Sequence, residues 1–324
     1  MERRAFLASG AAMTFALGSG LTVSLRPVPA FGQADQGLMQ LAAAQRFRVG
    51  DLVVTALSDG FLALEPSQLS GIDEAGYAAL AMDAFQRPEA AQITAVNAYA
   101  IDDGASITLI DAGTGPIFGP TLGQMGSSLS LAGIDPASVT RLVATHMHPD
   151  HVGGALIDGT VIFPNAELVS TVADQAFWTN TDIRNSVPAD IQGFFDLASG
   201  VYSAYGDQVR LLEGEAPIAS GLTFLPLPGH TPGHAGVMVE SAGESLLVWG
   251  DIIHAPTVQF TRPEVTIAFD SDQDMAATTR ARLMDQVVTD RMMVAGMHLS
   301  FPGIGHVDRS GEAFRFVPAP WTYS

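Results

Sequence analysis

Apolar and polar positions alternate along this chain in short runs, broken by glycine, proline and aspartate. Val53 to Leu57 reads as a strand that ends in a turn at Ser58-Asp59-Gly60. Val96 to Ile101 and Ser106 to Ile110 read as paired strands joined by Asp102-Asp103-Gly104, a hairpin signal. Arg141 to Thr145, Leu222 to Leu227, Ala235 to Glu240, Ser245 to Trp249, Met292 to Ala295 and Phe314 to Val317 read as further strands. Helical patterns cover 73–85, 172–182 and 188–204. Gly119-Pro120 predicts a helix start running to about Leu131, with proline early as helices tolerate it. Ser271-Asp272-Gln273-Asp274 predicts the cap of a helix reaching about Thr289. Strands in pairs and runs with helices between them predict an α/β sandwich in one domain. Residues 35–49 read as a polar-apolar linker, and nothing in 50–324 reads as a linker, a biased tract or a tandem repeat.

The N-terminus has a different pattern. Arg3-Arg4 precedes a moderately apolar run to about Leu25, then Arg26, Pro27, Pro29 and a small-residue site ending at Ala34. Ser9, Gly10, Gly18 and Ser19 dilute the run too much for a good membrane anchor. The pattern is that of a twin-arginine export signal over residues 1–34, which leaves 35–324 as the working domain and places it in the periplasm or outside the cell.

Composition narrows the partners. At 47% hydrophobic the chain can bury a full core. Its 15 basic residues, all arginine, face 34 acidic ones, for a formal charge of −19. Removing residues 1–34 takes three arginines and one glutamate and leaves the balance more acidic still. Nucleic acid and anionic membrane surfaces both need a cationic footprint, so neither is an expected partner. The same charge favours neutral substrates over polyanionic ones. With no cysteine, no disulfide holds the fold and no thiolate binds a metal.

The chemistry concentrates in His146-Met147-His148-Pro149-Asp150-His151, four candidate metal ligands in six residues. Side chains at i and i+2 of an extended segment point the same way, so His146 and His148 can share one ion. Asp150 and His151 follow as the chain turns and point elsewhere, so the block can serve two neighbouring ions. Four more candidates follow predicted strands: Asp111 after Ile110, His230 in Pro228-Gly229-His230-Thr231-Pro232-Gly233-His234, Asp251 after Trp249-Gly250, and His298 after Met297. Each sits where a rigid sheet can aim it. Asp111 reads as an orienter of a ligand histidine rather than a ligand. His234 and His306 read as turn-stabilising or as orienters of a ligand, with no chemistry of their own.

With His146-x-His148-x-Asp150-His151 followed by His230, Asp251 and His298, the chain resembles the metallo-β-lactamase-fold hydrolases over roughly residues 50–318. Within them it is most similar to methyl parathion hydrolase and its relatives. The stretches Phe118-Gly119-Pro120-Thr121-Leu122-Gly123, 145–154 and His298-Leu299-Ser300-Phe301-Pro302-Gly303-Ile304-Gly305-His306 carry that likeness. The resemblance implies a four-layer αβ/βα sandwich and two divalent ions, zinc first, with manganese, cobalt or iron as alternatives. It implies that His146, His148 and His230 hold one ion and that Asp150, His151 and His298 hold the other. Asp251 would bridge them together with a hydroxide that attacks phosphorus or a carbonyl carbon, and Asp150 would orient that nucleophile or carry its proton. Relatives of this type are commonly dimers.

The resemblance also matches Phe118, Trp178 and Phe195 to aromatic positions that line the substrate pocket. Read from the residues alone, the aromatics of 172–205 are core faces of amphipathic helices. His254 departs from the pattern, which carries an aliphatic residue there. The expected function is an exported dinuclear metal hydrolase of neutral phosphotriesters, with a lactonase on the same ions as the alternative. β-Lactam, glutathione thioester and RNA hydrolysis fit less well, as does a non-hydrolytic metal or oxygen-handling role.

Overall fold

The computed structural model describes residues 41–320, together with the backbone of two short paired strands, Met13–Leu17 and Leu21–Leu25. The expected export signal, with Arg3 and Arg4, therefore falls almost wholly outside the described residues. Two seven-stranded sheets form the body. The first runs β1 Ala43–Val49, β2 Leu52–Leu64, β3 Gln92–Asp102, β4 Ile107–Ile110, β5 Val139–Val143, β6 Glu167–Thr171 and β7 Val209–Leu212, side by side in chain order. The second repeats that simple order: β8 Ala216–Ala219, β9 Leu222–Pro226, β10 Ala235–Ser241, β11 Glu244–Val248, β12 Met293–Ala295, β13 Ile304–Ser310 and β14 Ala313–Pro318. Strands β4 to β7 are mutually parallel, as are β11 and β12, and the other neighbours are antiparallel.

The period-two pattern explains the layering. Tyr99, Ile101, Ile110, Val143 and Val169 face inward and meet Val237, Val239, Leu246 and Val248 of the second sheet. Their sequence neighbours Ala98, Ala100, Leu109, Leu142 and Leu168 face outward, under α2 Met125–Ala132 and α6 Ala189–Tyr205. On the far side Leu247 and Val294 pack against Leu283, Met284 and Val287 of α8 Gln273–Thr289. Burying each such side chain stabilises the fold by about 1.5–3 kcal/mol. The result is the expected αβ/βα sandwich. Among the described residues no helix is long and apolar enough to cross a membrane.

Several local expectations are corrected. Residues 43–49 are an edge strand, not a linker. Its exposed arginines hide the alternation, and charge on an edge blocks pairing with a further strand. Ser58-Asp59-Gly60 is not a turn but a bulge inside β2, where the register with β3 shifts. Gly60 takes φ +127°, and a Cβ there would lie 2.0 Å from the Thr121 carbonyl oxygen. The helix expected from Gly119 begins only at Met125, because Asp59 reaches across to accept from the Met125, Gly123 and Thr114 amides and holds 114–124 as a loop. Strands β6, β7, β8 and β13 were not anticipated, and the predicted strand at Phe314 pairs with β13.

Candidate metal centre

Four strand ends carry the seven candidate ligands, as expected. His146, His148, Asp150 and His151 follow β5 through the short helix α3 Pro149–Val152, which turns Asp150 and His151 away from His146 and His148. His230 lies between β9 and β10, Asp251 follows β11, and His298 follows β12. The first loop comes from one sheet and the other three from the second, so the site closes only when the sheets stack.

Distances show how tightly they converge. Nδ1 of His148 lies 2.9 Å from Nε2 of both His146 and His230. Oδ2 of Asp150 is 3.5 Å from Nε2 of His151 and of His298. Oδ2 of Asp251 sits at the hub, 3.6 Å from His146, 3.2 Å from His151, 3.3 Å from His230 and 3.1 Å from His298. The candidate ligand atoms form three sets, His146–His148–His230–Asp251, Asp150–His151–His298 and Asp251–His254–His298, the atoms of each lying within 4.8 Å of one another; the third shares Asp251 and His298 with the others.

This arrangement fits divalent cations. Burial, reinforced by neighbouring imidazoles, holds His146 and His148 well below their usual pKa, so both are neutral and offer lone pairs. His148 Nδ1 has one lone pair or one proton to offer, yet it faces Nε2 of both His146 and His230 at 2.9 Å. Nε2 of His151 and Oδ1 of Asp251 are buried and make no hydrogen bond. Burial disfavours an ionised Asp251, yet the surrounding imidazoles, His151 and His298 foremost, hold its carboxyl well below the ordinary range. A cation between these groups satisfies the lone pairs and the charge together.

The back sides of the rings are tethered. Nδ1 of His151 donates to Oδ2 of Asp111 at 2.6 Å, as expected of an orienting carboxylate, and Asp111 itself takes φ +61° at the end of β4. Nδ1 of His230 donates to Asp270 at 2.8 Å, and Nδ1 of His298 to the Ala95 carbonyl at 2.7 Å. His234 does more than stabilise a turn. Its Nδ1 donates to the Leu227 carbonyl and its Nε2 accepts from the Asp251 amide, both within 2.8 Å, while burial drops its pKa to about 3. His234 thus orients Asp251, one of the two roles its sequence setting allowed, whereas Asp270 was missed because no local spacing links it to His230.

A small pocket of about 60 Å³ opens over the cluster. Its walls are Leu62, Ala63, Leu64, Thr94, Phe118, Phe194 and Phe269, and its floor is His148, Asp150, His230, Asp251, His254 and His298. Phe118, matched by the resemblance, and His254, which departs from it, both line the pocket. Trp178 and Phe195 do not line the pocket. They are 3% and 2% exposed, with Trp178 packed edge-on against His148 and Phe195 against Trp178. Adjacent helical residues point about 100° apart, so Phe194 takes the wall and Phe195 the core. His254 Nε2 lies 2.9 Å from Asp251 Oδ2, its ring stacks on His298, and its buried Nδ1 makes no hydrogen bond.

The model of the Metallo-beta-lactamase superfamily matches residues 92–296, nearly two thirds of the chain and six of the seven converging side chains, with His298 two residues beyond its end. The chain belongs to this superfamily. Two curated relatives within reach of the metallo-beta-lactamase chain are N-acyl homoserine lactonases, from Bacillus sp and from Bacillus cereus. They are 25% and 24% identical over 171 and 169 residues, covering 51% of this chain and 58% of each relative. The chain thus matches little more than half the length of those relatives. Among solved structures, AidC, a dizinc quorum-quenching lactonase, superposes with a TM-score of 0.82 at 23% identity, over 87% of this chain and 99% of that one. Hydrolase AbOPH of the beta lactamase superfamily has a TM-score of 0.82 at 30% identity, over 88% of this chain and 100% of that one. Membership and geometry together give this metallo-beta-lactamase chain a histidine and aspartate cluster suited to divalent ions. The narrower likeness to methyl parathion hydrolase rests on the sequence motifs alone.

Proposed function

We propose that the chain is an exported dinuclear hydrolase of neutral esters, with lactones as its leading substrate class. One observation carries the neutral substrate: apolar and aromatic walls close over the histidines and aspartates, and among the described residues no arginine lines the pocket to pair an anionic group. The lactonase relatives move lactones ahead of the phosphotriesters that the sequence motifs suggested first.

His146, His148 and His230 would hold one ion, Asp150, His151 and His298 the other, and Asp251 would stand between them. Divalent cations held there, such as the zinc of AidC, would bring the pKa of a bound water down to about 7 and would draw charge from a substrate oxygen. The chain's own side chains do the rest. Phe118, Phe194 and Phe269 hold the acyl or aryl arm and exclude water. Asp150, whose side chain is 14% exposed, offers Oδ2 beside His151 and His298 and can take a proton at its other oxygen, Oδ1. Burial opposes its ionisation, but His151 and His298 bring its carboxyl below the usual range, so it starts as an anion. His254 narrows the floor and holds Asp251.

An aryl phosphotriester is the second reading, because the aromatic walls suit an aryl leaving group that needs no strong general acid. Side-by-side kinetics on acyl lactones and a neutral aryl phosphotriester, with and without chelator, test both. The proposal expects chelator-sensitive turnover with higher kcat/KM on the lactone. Fully metal-loaded protein that leaves every lactone intact would refute it. A dimer is the expected assembly.

A further inference from the structure

Asp174 touches none of the seven converging side chains, yet it fastens two of their loops together. It lies in the first turn of α4 Val172–Trp178, completely buried. Its Oδ2 accepts from the Met147 amide at 3.2 Å, and its Oδ1 accepts from the Gly233 amide at 2.8 Å. Met147 sits between His146 and His148, and Gly233 lies three residues after His230. These loops belong to different sheets. Thr171 caps α4 by accepting from the Asp174 amide and donates its own hydroxyl to the Gly233 carbonyl at 3.2 Å. The joint admits nothing larger, since a Cβ on Gly233 would lie 1.9 Å from Thr171 Oγ1 and 2.8 Å from Asp174 Oδ1.

A buried carboxylate is costly to keep. Burial lifts the Asp174 pKa to about 6, against the pull of the backbone amides. No lysine or arginine among the described residues forms an ion pair with it. Its return is therefore structural: two buried amides on two ligand loops find an acceptor, and each would be left unpaired without it.

Resting on the two-ion reading above, we infer that Asp174 is a positioning residue for one metal position only, the His146–His148–His230 set. The Asp150–His151–His298 set hangs instead on Asp111 and on the Ala95 carbonyl. The brace acts through loop geometry, so its loss weakens one ion and spares the other.

Zinc titration of metal-free protein against a competing chelator reads this directly. Wild type takes up two equivalents. Asp174→Asn keeps the shape and one acceptor oxygen, and weakens one equivalent by about 10–100-fold, the usual effect of an outer partner, while the other stays close to wild type. Asp111→Asn weakens the opposite equivalent, and the double variant loses tight binding at both. Thr171→Val leaves the carboxylate in place and loosens the same joint, so it keeps the test alive if Asp174→Asn does not fold; it weakens the same equivalent as Asp174→Asn. Equal weakening of both equivalents, no weakening, or the same equivalent struck by Asp174→Asn and Asp111→Asn overturns the inference. A wild type that takes up fewer than two equivalents overturns the two-ion reading, and the inference with it.

Discussion

Replacing Asp111 with asparagine removes one oxygen from a carboxylate that has three donors to satisfy. Oδ2 accepts from His151 Nδ1 at 2.6 Å and from Thr145 Oγ1 at 2.8 Å, while Oδ1 accepts from the Thr145 amide at 2.8 Å. An amide nitrogen can take either place, and both are bad. Facing the Thr145 amide, it sets two donors against each other in a buried site. Facing His151, it forces the ring to accept at Nδ1 and to carry its proton at Nε2, where the lone pair for the metal should be. One buried donor left unsatisfied costs about 1–3 kcal/mol. At about 1.4 kcal/mol per decade, that is roughly a 5–150-fold weaker ion at the His151 position. Chelator competition on the metal-free variant measures the affinity, and calorimetry measures the stability lost with it. Zinc affinity within twofold of wild type would refute the tautomer argument.

Four further outcomes follow from the same coordinates. Chelator should abolish turnover and zinc should restore it. At a free zinc concentration 100 times the dissociation constant, each ion stabilises the fold by about 2.7 kcal/mol, so stripping the metal should lower the calorimetric midpoint by several degrees. Phe194→Ala should raise KM for an arylated or long-chain substrate with modest loss of stability, whereas Phe195→Ala should cost about 3–5 kcal/mol in denaturant unfolding because it leaves a core cavity. Equal effects from the two would put both rings in one environment. His254→Leu should change the ratio of lactone to phosphotriester activity, and unchanged selectivity would remove His254 from the pocket's chemistry. Gly229→Ala should destabilise by about 1–3 kcal/mol in urea, since φ is +132° and the new Cβ would lie 2.3 Å from the Ala276 amide nitrogen.

Much of the site was legible because its signals are local. His146 to His151 is one contiguous block whose residue types have little other use so close together, and His230, Asp251 and His298 each follow a readable strand. What was illegible lacked a local signal. Strand β1 carries Arg46 and Arg48 on a sheet edge, so alternation fails. The bulge at Gly60 has a turn's composition, and only pairing along the whole of β2 with β3 reveals the strand running through it. Phe194 and Phe195 are chemically alike, and the rotation of α6 against the first sheet decides which reaches the pocket.

Residue types and their order therefore determined the α/β alternation, the superfamily and the histidines and aspartates that converge. Each of these depends on periodicity or on spacing within one segment. Stacking of the two sheets decided the rest: that Asp251 Oδ2 meets imidazoles from both halves, that Asp270 backs His230 from 40 residues away and that Asp174 joins loops of different sheets. Hydrogen bonds reach about 3 Å regardless of sequence separation, so such partners are chosen by where the folded backbone passes, and no spacing along the chain records it.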